Sequence, residues 1–169
     1  MSITIWLALA GCLIAGFYDL RSRRIPNALT GALAIAAVLV HAFGGLHSFA
    51  ISLFVMLAMT LAGALVYARG GIGGGDVKLA IAASGMLSYP LFIPFLLYSA
   101  IGGGMLAILF LVFRGEARAA FSRVALLAAG EARSIYTQRA TLPYALAFAI
   151  GAIAVALSQN VAPFLRILS

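Results

Sequence analysis

Gly73-Gly74-Gly75-Asp76-Val77-Lys78 is the stretch around which the chain is organised. It is a glycine run that ends in a carboxylate, set in a sequence that is 64% hydrophobic and only 9% charged. A carboxylate beside a membrane segment is costly and reads first as a functional group. Each glycine costs a helix about 1 kcal/mol relative to alanine. Residues 69–75 therefore cannot hold a regular helix cheaply. The only other aspartate is Asp19, at the end of the first apolar run.

A soluble domain usually carries about 25% charged residues. No water-soluble fold of 169 residues could hide so much apolar side chain, so composition implies an all-α integral membrane protein. The length suits a single domain over residues 1–169. A net charge of +7 could suggest nucleic acid, but the basic residues sit in short breaks between apolar runs. The partner they imply is the lipid bilayer, and no nucleic acid is expected. The single cysteine, Cys12, cannot form an internal disulfide, and no Cys/His cluster points to a metal. No cofactor is expected either. The N-terminus has no basic region and no small-residue cleavage site, so the first apolar run reads as a retained span.

Six apolar segments flank the glycine run, at about 2–20, 27–43, 49–68, 76–89, 91–113 and 141–158. Pro26 and Asn27 open the second, since Pro is tolerated in a first turn and Asn is a good cap. The loop before the third contains His47, with His41 just ahead of it. The fourth segment is short, with a reach of about 21 Å. Either the glycine run is recessed into the protein, or the helix continues past Pro90 with a kink.

Charge tests this parse. With six spans, the connections after segments one, three and five share one side of the membrane. With Lys78, in the first turn of segment four, that side holds ten of the eleven basic residues, leaving Arg166 alone on the other. The positive-inside rule makes the basic side cytoplasmic and puts Asp19 and Asp76 at that face. If segment four did not cross, the arginine-rich connection before segment six would fall outside. Within that connection, Ala117, Ala120, Phe121, Val124, Leu127 and Ala128 share a helical face, with Arg118, Ser122 and Arg123 opposite. This reads as a cytoplasmic amphipathic segment lying on the membrane surface. Trp6 reads as an interfacial anchor.

Two carboxylates held close together cannot both ionise cheaply, so one holds a proton while the other stays charged. That split suits direct attack of water on an amide. The charged group takes a proton from water, and the protonated one polarises the carbonyl and later protonates the leaving amine. Asp76 would sit at a helix N-terminus and Asp19 at a helix C-terminus. The dipoles lean towards Asp76 as base and Asp19 as acid, although the pair titrates as a unit. Backbone without side chains at Gly73 and Gly75 can approach an extended substrate and bring Asp76 into place. Lys78 either tunes the site or anchors the helix at the interface. The glycine run lacks the Gly-Lys-Ser/Thr ending of a phosphate loop.

Gly73-Gly74-Gly75-Asp76 matches the GxGD motif of membrane aspartic proteases. Asp19-Leu20-Arg21-Ser22-Arg23-Arg24-Ile25-Pro26-Asn27 resembles the DxxxxxIPN stretch of type IV prepilin peptidases, and Pro143-Tyr144-Ala145 followed by Gly151 resembles that family's late proline-tyrosine motif. The resemblance implies an endopeptidase that removes the basic leader from prepilins at the cytoplasmic face of the bacterial inner membrane. Asp19 and Asp76 fall on the family's catalytic aspartates. Gly73, Gly75, Lys78, Pro26, Asn27, Pro143 and Tyr144 would shape the site or bind substrate. The chain lacks the cysteine-bearing N-terminal insertion of larger, N-methylating members, and so resembles the compact type tied to tight-adherence (Flp-type) pili. Two other readings stay open here. One is a presenilin-like or signal-peptide-peptidase-like protease, which would share GxGD. The other is a proton-coupled transporter subunit, whose carboxylates would lie near mid-membrane.

Overall fold

The computed structural model describes residues 2–69, 72–113 and 144–168. The expected amphipathic segment between segments five and six lies outside these residues, as does Pro143. The described chain forms five helices: α1 (Ile3–Ser22), α2 (Asn27–Phe43), α3 (Leu46–Ala68), α4 (Gly74–Phe113) and α5 (Tyr144–Leu168). Among the described residues there is no strand.

The helices pack small side inward. On α1, Ile5, Ala8, Cys12 and Ala15 are buried, whereas Leu13, Ile14, Phe17 and Leu20 face out. Ala37 of α2, Ala82 and Ala83 of α4, and Ala145, Ala149 and Ala152 of α5 join the same core. This is inverted relative to a soluble bundle. In lipid the solvent is as apolar as Leu, so helices associate through close approach of small residues. Three helices, with α4 taken from Gly74 to Phe110, are long and apolar enough to cross a membrane; α2 and residues Tyr144–Gln159 are shorter apolar helices.

α4 is central and packs against the other four helices. Inside it, Ser88 (φ 53°, ψ −172°) and Tyr89 (φ −78°, ψ 140°) leave helical geometry just before Pro90. A straight helix of 40 residues would be a rod of about 60 Å. Yet Val77 and Ala80 line the same cavity as Phe110 and Phe113. The break therefore turns the chain back on itself and divides α4 into two helical runs, 74–87 and 90–113. The division falls where the fourth and fifth segments were expected to meet. The kink seen from Pro90 is in fact a reversal.

A break strands carbonyls that a continuous helix would have used. Pro90 has no N–H to give to Met86. Neighbouring helices supply the donors instead. His41 Nε2 donates to the Met86 carbonyl at 3.1 Å, and in the neutral ring Nδ1 accepts from the Ser48 hydroxyl at 2.8 Å. Ser52 Oγ donates to the Gly85 carbonyl at 2.9 Å.

The pairings fix the directions of the runs. The start of α2 lies by the start of α4, through Asn27 and Lys78, and its end lies by the break, through His41 and Met86. α3 begins by the break, through Ser52, and ends where Gly63 meets Val77. α5 begins beside Asp19, and its Gly151 lies against Ser99 and Phe95. The six helical runs thus alternate in direction.

Several local expectations change. The turn between α2 and α3 is only Gly44 and Gly45, because Gly45 takes φ 98°, and His47 falls inside α3. Asn27 is not the cap of α2: Pro26 holds that position, with no side-chain cap bond. The last helix does not stop near residue 158 but continues to Leu168.

Candidate active site

Asp19 ends the inward stripe of α1. Ile5, Ala8, Cys12, Ala15 and Asp19 follow one another at spacings of three and four, and all are buried. Four residues on, Arg23 closes the helix in the left-handed conformation (φ 50°), its N–H bonded to the Asp19 carbonyl at 2.9 Å. A non-glycine residue there is strained, and strain of this kind gathers at functional sites. The turn also brings the Arg23 charge to bear on the Asp19 carboxylate.

Asp19 Oδ2 accepts a hydrogen bond from the Ala145 backbone N–H at 3.2 Å. Ala145 lies in the first turn of α5, where N–H groups lack helical acceptors. Asp76 lies in the first turn of α4. Both carboxylates therefore sit at a helix N-terminus, and the dipole contrast that favoured Asp76 as base no longer separates them. They occupy one end of the bundle, within electrostatic reach of each other. Asp76 Oδ1 is buried and has no hydrogen-bond partner among the described residues.

The glycines have separate reasons. The Asp76 carboxylate folds back over Gly73, so that a Cβ on Gly73 would lie 2.9 Å from Oδ2. Ile25 packs on Gly75, where a Cβ would lie 3.3 Å from the Ile25 Cβ. The Tyr67 ring covers Gly74 at an ordinary 3.5 Å. Lys78 Nζ donates to Asn27 Oδ1 at 2.9 Å. The Ile25-Pro26-Asn27 turn is thus tied at two points to the helix that carries Asp76. The structure brings Asp19, Pro26, Asn27, Gly73, Gly75, Asp76, Lys78 and Tyr144 to this end of the molecule. The Ala145 N–H and Tyr67 were missed in the sequence. A backbone donor leaves no composition signal, although the regular stripe from Ile5 to Asp19 does show that Asp19 faces inward.

The histidines are elsewhere. His41 binds the Met86 carbonyl, ten residues or about 15 Å along α4 from Asp76. No group of three His, Cys, Asp or Glu side chains suited to a metal occurs among the described residues.

An apolar cavity of about 800 Å³ lies beside this site between α3, α5 and the second run of α4. Val77 and Tyr144, next to Asp76 and Ala145, lie in its wall.

The chain matches the protein-family model of the type IV leader peptidase family over residues 6–108, more than half its length. It belongs to that family. The matched span contains both aspartates, the Ile25-Pro26-Asn27 turn and the glycine run, and it ends before α5. No curated protein and no solved structure matches the chain. Membership of the type IV leader peptidases makes the protein a protease acting on prepilins. Together with the three long apolar helices, it makes it a membrane protein.

Proposed function

We propose that the protein is a six-span aspartic endopeptidase of the bacterial inner membrane that removes the leader from prepilins at the cytoplasmic face, with Asp19 and Asp76 as its catalytic pair. The observation that carries this reading is the convergence of the two carboxylates, from α1 and α4, at one end of the bundle. The charge asymmetry of the connections supports the orientation, and the alternation of six helical runs supports the span count.

In this mechanism one carboxylate is ionised and its partner protonated. The ionised group takes a proton from a water molecule as the water oxygen bonds to the carbonyl carbon of the scissile peptide. The protonated group hydrogen-bonds the carbonyl oxygen and holds the charge that develops there. When the tetrahedral carbon collapses, the C–N bond breaks and the leaving nitrogen takes a proton from a carboxyl group. Proton count and charge are restored without a covalent intermediate. Asp76 Oδ1, which has no partner among the described residues, is an acceptor of the kind such a water needs. The resemblance to the compact members of the family supports Flp-type prepilins as the substrate, cut without N-methylation.

The test is co-expression with a Flp-type prepilin, comparing wild type with Asp19→Asn and Asp76→Asn by pilin size and N-terminal sequence. Cleavage after the leader that vanishes in both variants, at matched membrane levels, is the expected result. Substantial cutting by either variant would overturn the assignment.

A further inference from the structure

The cavity beside the carboxylates has a floor that packing among the described residues does not explain. Three glycines follow one another on the second run of α4. A Cβ on Gly102 would lie 2.8 Å from Ile150 Cγ2, and one on Gly103 would lie 3.0 Å from Ala147 Cβ, so α5 requires both. A Cβ on Gly104 would meet nothing within 4 Å among the described residues, yet Gly104 lines the cavity. Glycine weakens a helix, and here nothing in the described chain occupies the space gained. Ala100 lines the cavity one turn earlier, giving the small-xxx-small spacing that lets a second helix approach closely in lipid. Beside it, Ser99 is only 4% exposed, its Oγ buried against Gly151 of α5.

The cavity wall includes Leu20, Val77 and Tyr144, the chain neighbours of Asp19, Asp76 and Ala145. Among the described residues the exposed charged side chains at that end, Arg21, Arg24 and Lys78 among them, are cationic, so what this face offers a substrate is the apolar contact of the groove.

We propose that this groove seats the apolar, membrane-embedded helix of the prepilin, with Gly104 at the point of closest approach, so that the peptide bond preceding that helix lies at Asp19 and Asp76. The proposal rests on the proteolytic reading above. A lipid chain would need no glycine, since it conforms to whatever side chains line its path.

Two measurements separate the groove from the chemistry. In the first, prepilin cleavage is compared among wild type, Gly104→Ala, Gly104→Leu and Gly31→Leu. Gly31 also has nothing among the described residues within 4 Å of its missing Cβ and lies outside the groove, so it controls for adding a side chain to a membrane helix. Gly104→Leu is expected to lower cleavage at least tenfold and Gly104→Ala less, with Gly31→Leu within twofold of wild type. In the second, Gly104→Cys is placed in a Cys12→Ala, Asp76→Asn chain, and disulfides are formed with single cysteines along the prepilin helix. Cross-links recurring every three to four positions are expected. Cross-linking without any cleavage by wild type would sink the proteolytic chemistry and support the groove. Normal cleavage by Gly104→Leu, or cross-links only between two copies of this chain or only to its 114–143 connection, would overturn the groove.

Discussion

Asp19 Oδ2 and the Ala145 N–H are joined at 3.2 Å, so the carboxylate that ends α1 also caps the first turn of α5. The bond gives Asp19 a structural duty that can be separated from chemistry. Asp19→Asn keeps an acceptor oxygen on a side chain of the same length. Asp19→Ala leaves the N–H unpaired, and loss of such a cap costs about 1 kcal/mol. Both variants should fail to cleave prepilin, but only Asp19→Ala should unfold earlier on heating in detergent. Equal unfolding of the two would mean that the bond contributes nothing to stability.

The glycine run should be graded, not uniformly intolerant. An alanine at position 73 puts its Cβ 2.9 Å from Asp76 Oδ2 and must displace the carboxylate. A misplacement of about 1 Å can cost on the order of 100-fold in rate, and a loss of that order is expected for Gly73→Ala. Gly75→Ala presses on Ile25 at 3.3 Å and should lose less. Gly74→Ala meets Tyr67 at an ordinary 3.5 Å and should cleave nearly as wild type. Relative cleavage rates at matched membrane levels give the order directly, and tolerance at 73 with loss at 74 would contradict this geometry.

Much of this was legible in the sequence because membrane proteins write their constraints in plain chemistry. Apolar runs mark helices, since lipid offers no partner for an open backbone. The two aspartates stand out because, Lys78 apart, charge is otherwise absent from those runs. What was not legible depends on three-dimensional proximity between distant positions. Nothing in Ala145 marks its N–H as the partner of Asp19, 126 positions away. Asn27 read as a cap because caps favour Asn, but Lys78 claims its carbonyl oxygen across the bundle. Gly73 and Gly75 read as room for substrate, whereas the Asp76 carboxylate folds over the first and Ile25 covers the second.

If the carboxylate pair alone activates water, a chelator should leave cleavage untouched. The measurement is the prepilin cleavage rate in detergent after prolonged treatment with a strong chelator, with and without added zinc. An unchanged rate is expected. A loss that zinc restores would require a different mechanism.

The break in α4 offers a stability test far from the chemistry. Ser88 and Tyr89 interrupt the helix, and His41 and Ser52 supply donors to the carbonyls of Met86 and Gly85. His41→Ala would leave a buried carbonyl without a partner, at a cost of about 1–3 kcal/mol. Ser52→Ala would do the same to Gly85 by a single neutral bond, worth about 1 kcal/mol. Asp76 is about 15 Å along the helix from Met86, so the folded fraction of each variant should cleave at close to the wild-type rate. Thermal unfolding in detergent, combined with cleavage normalised to folded protein, separates the two effects. If His41→Ala unfolded normally but cleaved poorly, the imidazole would have to act on the site through the first run of α4, and its place as a support for the break would be wrong.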